Sequence, residues 1–350
     1  MRSRIRGYAA AALLTSAALF ASPSSTAAAV VTAARPVATI HPTSVVVFTL
    51  AAGRYQMEAG LGAMWIVRSD EFHDTLIYRV DPTANTPHLI GHLTFPGGAG
   101  VAVGDGSLWI SDYYGNAVWR VSPAGKVQAR ITTGLQPESV HSALGSVWVG
   151  NHHGHSVTRI DPRTDTVRAT ESAGDPTQFR GGPQAITNDA RRIYVGSSDL
   201  SVLQTIDPAT NLTATPPGTT DDQFCGPLTF SCGSIWNSDR CTNTLYQISP
   251  TCVVRWHASY GPIFGPTGPQ VLAQTRFDDN LWVAVDQSYN HDTSTGSDGV
   301  LEKRDPHDGA LLGTVPLGGD ISQVSAGLGS LWTFDAGTST VRRVTLPDTT

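Results

Sequence analysis

Seven copies of one short pattern, spaced 39 to 50 residues apart and separated by turn-forming residues, predict an all-β fold: a seven-bladed β-propeller built from four-stranded antiparallel blades. The copies are "GAMWIV" (62–67), "GSLWIS" (106–111), "GSVWVG" (145–150), "RRIYVG" (191–196), "GSIWNS" (233–238), "DNLWVA" (279–284) and "GSLWTF" (329–334). The fourth place is always aromatic: Trp65, Trp109, Trp148, Tyr194, Trp236, Trp282 and Trp332. Six copies are followed by a second element: "YRVDP" (78–82), "WRVSP" (119–123), "TRIDP" (158–162), "QTIDP" (204–208), "YQISP" (246–250) and "EKRDP" (302–306). The composition agrees, with 35 Gly, 22 Pro and only 15% charged residues.

The third copy shows how one blade is built. Strand a is "PESVHSA" (137–143), strand b "SVWVG" (146–150), strand c "HSVTRI" (155–160) and strand d "TVRATES" (166–172). Gly145 and Ser146 make the a–b turn, "NHHG" (151–154) the b–c loop and "DPRTD" (161–165) the c–d turn. Proline ends the strand because it presets its own φ and cannot donate to a ladder. A ring at the same phase of every strand b is expected to pack between blades. The last copy supplies three strands and stops, while "SVVVFTL" (44–50) is a β run ahead of the first blade. That run is expected to pair with "STVRRVTL" (339–346) and close the ring, leaving one domain over 44–347.

The first 29 residues have a basic start, an apolar run over about 9–21 and small residues near Ala27–Ala29, the pattern of a signal peptide. Residues 30–43 are expected to form a flexible leader, and the mature protein to be secreted. With 29 acidic against 23 basic residues, nothing points to nucleic acid. Nor does any apolar run approach the roughly 20 residues a membrane helix needs, so no membrane insertion is expected. A monomer is expected.

All four cysteines fall in the fifth copy, and export favours disulfides. Four cysteines allow three connectivities. Cys225 and Cys241 belong to one face of the blade, Cys232 and Cys252 to the other, which favours Cys225–Cys241 and Cys232–Cys252; a zinc site would need all four on one face.

The d–a and b–c loops share the face on which the central funnel opens. They bring there Tyr55, Tyr113, Tyr114, Glu138, Arg180, Gln184, Gln270 and Gln323 as ligand-binding candidates. Three places past the repeat aromatic, Asp112, Asp239 and Asp335 form a carboxylate ring that could hold Mg or Ca; alternatively they close turns. His152, His153 and His155 share one short loop, where neighbouring side chains diverge. A solvated loop is one reading, and one of them acting as a general base is the other. His141 and His291 are secondary candidates.

The "GSLW" core and "RIDP" tail resemble the secreted seven-bladed propellers grouped with streptogramin (virginiamycin B) lyase and the YVTN-repeat surface propellers. The resemblance spans nearly the whole mature chain and specifies the fold far better than the activity. For the lyases it implies linearisation of a cyclic depsipeptide by elimination, with Mg and a histidine base. Their repeats carry Pro-His-Gly-Ile entering strand a and Trp-Phe-Thr-Glu leaving strand b. Here "QPESV", "GPQAI" and "GPQVL" put Glu138, Gln184 and Gln270 at the histidine place, and "WISD", "WNSD" and "WTFD" put Asp112, Asp239 and Asp335 at the glutamate place. Both departures weigh against the lyase reaction. The leading expectation is therefore a propeller that binds a small-molecule, glycan or peptide ligand at its funnel. The alternative is a metal-assisted C–O lyase acting on a cyclic ester.

Overall fold

The computed structural model describes residues 37–347 except 71–73, 85, 96, 179–180, 201–202, 217–223, 263–266, 291–292 and 294. The signal peptide, Arg180 and His291 thus lie outside the described residues. Among the described residues no helix is long and apolar enough to cross a membrane.

The strands form seven sheets, one per blade, each ordered a-b-c-d. Blade 3 runs Pro137–Ala143, Ser146–Asn151, Ser156–Asp161 and Thr166–Ser172, close to the bounds expected from its sequence. Closure is as expected: Ser44–Thr49 pairs antiparallel with Thr340–Thr345, Ser44 facing Thr345 and Thr49 facing Thr340. Ala38–Thr39, inside the segment expected as a flexible leader, adds a short parallel strand to the outer edge of blade 6. Strands a line a central channel of about 330 Å³.

The two sequence elements turn out to be the ends of one latch. The repeat aromatics are buried, as burial at a blade interface requires. In blades 1, 2, 3 and 7 the strand-c residue paired with the tryptophan is Arg79, Arg120, Arg159 or Arg343. Its guanidinium lies 4.9–5.5 Å from the indole centroid, a cation–π distance. Arg120 Nε donates to Ser107 Oγ (2.9 Å), the serine of Gly-Ser, and Nη1 donates to the carbonyl of Pro162 (2.7 Å) in the next blade. Arg159 does the same with Ser146 and Pro208, and Gln247 with Ser234 and Pro306. Arg343 repeats it with Ser330 and Pro82, and so bridges blade 7 to blade 1 across the closure.

Of the two expected disulfides one forms: Cys225–Cys241, with Cα atoms 5.6 Å apart. Cys232–Cys252 is corrected, since both thiols are free. They occupy the same end of blade 5 but opposite faces of its sheet. Cys252 is fully buried with Tyr194, Phe224 and Ile248 on the blade 4 side, where burial pushes its thiol up to about 11. Cys232, in the a–b turn, is only partly buried and acts electrostatically on Arg276 of blade 6. A shared turn region brings two cysteines near in sequence, not onto one face of a sheet.

Candidate functional site

The b–c loop of blade 3 is held tightly. Asn151 ends strand b, accepts from Gly134 N through Oδ1 (3.1 Å), and donates through Nδ2 to Ser156 Oγ (3.1 Å) and Thr158 Oγ1 (2.9 Å). His152 N donates to Gln136 O (2.9 Å), and His155 takes a left-handed φ of 41°. The loop therefore presents its histidines in fixed and different directions. His152 points its Nδ1 at Glu138 Oε2 (3.5 Å) and its Nε2 at Ser198 Oγ (3.2 Å). His153 Nδ1 is 3.3 Å from the Tyr113 hydroxyl of blade 2. His155 Nδ1 is 3.0 Å from Asp199 Oδ2 of blade 4. Each ring has its own partner, so the three do not converge on one point.

His152 and Glu138 form one wall of a cavity of about 310 Å³ that also takes in Arg54, Gly98, Tyr113 and Tyr114. The two tyrosine rings meet edge to face at 5.1 Å, and Tyr114 is half exposed. Burial raises the Glu138 carboxyl above its ordinary value, with Arg54 acting against it. Burial also pushes His152 down to about 4; neighbouring His153 and His155 lower it further, while Asp199 opposes them. Burial, then Glu138 and Tyr114, raises the Tyr113 hydroxyl. Glu138 faces the central channel too, together with Gln184, Arg240 and Gln323. A larger cavity, about 920 Å³, lies at the seam of blades 6 and 7, walled mainly by Ile40, Phe277, Trp282, Leu346 and Pro347. Size favours that cavity, but interacting titratable and aromatic groups converge on the smaller one, which is the better candidate.

Other expected residues are placed differently. Tyr55 is buried: its ring packs 4.4 Å from Phe334, its hydroxyl donates to Ala51 O, and burial pushes it up to about 12. It belongs to the core, not to a ligand surface. Gln270 is buried, with Nε2 donating to Val271 O (3.1 Å). Gln184 lines the channel but donates to Phe224 O (2.7 Å), and Gln323 donates to Tyr55 O. His141 is bound to Asn188 Oδ1 (2.7 Å), with its imidazole lowered by burial.

The divalent cation implied by the family resemblance does not fit the carboxylate ring. Asp112 accepts from Gly115 N (2.7 Å) and Trp119 Nε1 (3.1 Å). Asp239 accepts from Cys241 N (2.9 Å) and Thr242 Oγ1 (2.8 Å). Asp335 accepts from Thr338 N (3.1 Å) and is ion-paired with Arg342 (2.5 Å). All three cap their own b–c turns, and among the described residues neither Asp112 nor Asp335 belongs to any metal-sized group of ligands. Among the described residues the one metal-sized group of potential ligands is Cys225, Asp239 and Cys241, whose two sulfurs are joined to each other.

Sequence reasoning passed over Ser198. A signal was present: the first residue past strand b is Tyr113 in blade 2, His152 in blade 3 and Ser198 in blade 4. Neighbouring blades place equivalent positions side by side, so aligning the copies at that place would have paired His152 with Ser198.

No family model matches the chain, and no curated protein sequence matches it. Solved structures do. A streptogramin B lyase is 14% identical, with a TM-score of 0.67 over 87% of this chain and 98% of that one. A virginiamycin B lyase from Staphylococcus aureus is 12% identical, with a TM-score of 0.65 over 87% and 99%. BamB from Moraxella catarrhalis is 11% identical, with a TM-score of 0.60 over 88% and 100%. At such identities the likeness is one of fold: the chain is a β-propeller resembling these proteins.

Proposed function

We propose that the chain is an exported β-propeller that binds a small carbohydrate in the cavity beside the histidine loop. The observation that carries this reading is the pairing of a half-exposed tyrosine with solvent-accessible polar groups in one cavity of about 310 Å³. Tyr113 and Tyr114 offer aromatic surface on which the apolar face of a sugar ring can rest. Arg54 donates, Glu138 accepts, and His152 can do either, which suits hydroxyl groups arranged around a ring. Export is supported by the basic, apolar and small-residue order of the N-terminus and by the Cys225–Cys241 disulfide.

Titration calorimetry with a panel of soluble oligosaccharides tests the reading. Binding of at least one sugar is expected, weakened at least about tenfold by Tyr114→Ala. A panel without any binder, or a binder indifferent to both Tyr114→Ala and Glu138→Gln, defeats it.

A further inference from the structure

Three side chains from three separate elements come together here, two of them, Glu138 and His152, lining this cavity and the third lying behind the His152 ring. Glu138 is on strand a of blade 3, His152 opens that blade's b–c loop, and Ser198 follows strand b of blade 4. Ser198 Oγ lies 3.2 Å from His152 Nε2, and Glu138 Oε2 lies 3.5 Å from His152 Nδ1 on the opposite side of the ring. We infer that Ser198, His152 and Glu138 form an acyl-transfer triad, with Ser198 as nucleophile, His152 as base and Glu138 as the positioning carboxylate.

The backbone holds this order in place. Ser198 N donates to Gly182 O (3.1 Å), and His152 N donates to Gln136 O (2.9 Å). Gly182 has a φ of 131°, and a Cβ there would fall 1.8 Å from His152 O, so a glycine is needed for the segment to pass this closely. The Nδ1 of His152 is buried and has no hydrogen-bond partner, while Glu138 Oε2 stands 3.5 Å from it, within reach of one after a small side-chain adjustment. A proton on Nδ1 facing that carboxyl leaves Nε2 free to accept from the Ser198 hydroxyl. The charged and titratable groups around the ring are Glu138, His153, His155 and Asp199; burial, helped by His153 and His155, outweighs Asp199 and keeps the imidazole neutral at pH 7.

The chemistry closes on water alone. Ser198 Oγ adds to an ester carbonyl carbon while its proton passes to His152 Nε2. The carbon–oxygen bond to the alcohol then breaks, and the departing oxygen takes that proton, leaving an ester on Ser198. Water adds to the acyl carbon, gives a proton to Nε2, and the bond to Oγ breaks as Ser198 recovers it. The products are an acid and an alcohol. The substrate class is an O-acyl ester of a sugar, an assignment that rests on the cavity being a carbohydrate site.

A fluorophosphonate probe and p-nitrophenyl acetate test the triad without any sugar. Peptide mass spectrometry is expected to find the phosphonyl group on Ser198. Ser198→Ala is expected to abolish labelling and lower p-nitrophenyl acetate hydrolysis at least about 10³-fold. In the intact protein kcat/KM is expected to fall below pH about 4 as His152 takes a proton. Glu138→Gln is expected to lower kcat with KM and Tm nearly unchanged and to move that acid limb to lower pH, with partial rescue by Glu138→Asp. An unlabelled Ser198, or hydrolysis unchanged in Ser198→Ala, overturns the triad. The two readings fail separately. Sugar binding without labelling removes only the triad; labelling without sugar binding removes only the ligand class.

Discussion

Glu58 stands on strand a of blade 1, paired with Trp65, and burial pushes its carboxyl up to about 7 from 4.5. The folded protein therefore holds more protons than the unfolded chain between those two values. Stability from this group is fully present below pH about 4.5 and is lost as pH rises through 7. His152 works in the opposite sense: its folded value, about 4, lies below the ordinary 6.5, so its contribution is present above pH 6.5 and lost as pH falls through 4. Between them the two partly cancel across mildly acid pH. Glu58→Gln should separate them. The substitution removes the cost of a charge on a partly buried strand, so it should stabilise the protein by about 1–2 kcal/mol at pH 8, a figure reduced for partial solvent screening, and by nothing measurable at pH 4. Thermal unfolding of both proteins at the two pH values checks this; an equal shift at both would mean that charge is not the cause.

Blades were legible in the sequence because each copy repeats the same local demands. A buried aromatic, a Gly-Ser turn and a proline-ended strand recur with one period, and each can be recognised within about 20 residues. What those residues do for one another was less visible, since the partners lie in adjacent blades. Arg159 reaches 49 positions along the chain to Pro208, and His152 reaches 46 to Ser198. The aspartates misled for a related reason: a residue at the end of strand b can cap its own turn or face the funnel, and periodicity is the same for both. The latch itself is testable at this scale. Arg159→Met keeps the bulk but gives up the cation–π contact and the charged hydrogen bonds, so it should cost about 2–3 kcal/mol. Ser146→Ala should cost about 1 kcal/mol. If Ser146 acts by holding Arg159, its substitution should cost much less in an Arg159→Met background, whereas additive losses in a double-mutant cycle would show the two to be independent.

Across the whole molecule, the ring joins the two ends of the described chain and so depends on the strand that completes blade 7. That strand has one face on the core and one toward solvent: Phe48 is 4% exposed and lies 6.1 Å from the Trp332 ring, while Val47 beside it is 54% exposed. Six backbone pairings with Thr340–Thr345 cover an edge that would otherwise be open to other chains. The Arg343 latch to Pro82 crosses the same junction. If closure is held by side-chain packing as well as by backbone pairing, Phe48→Ala should cost about 3–5 kcal/mol and raise aggregation on heating, because opening there exposes both the edge and the Trp332 pocket. Val47→Ala, on the same strand with the same backbone partners, should change stability by less than about 0.5 kcal/mol. Equilibrium unfolding in urea distinguishes the outcomes. Equal losses from the two variants would mean that strand propensity holds the ring shut, and negligible losses from both would mean that Ser44–Thr49 can leave without opening it.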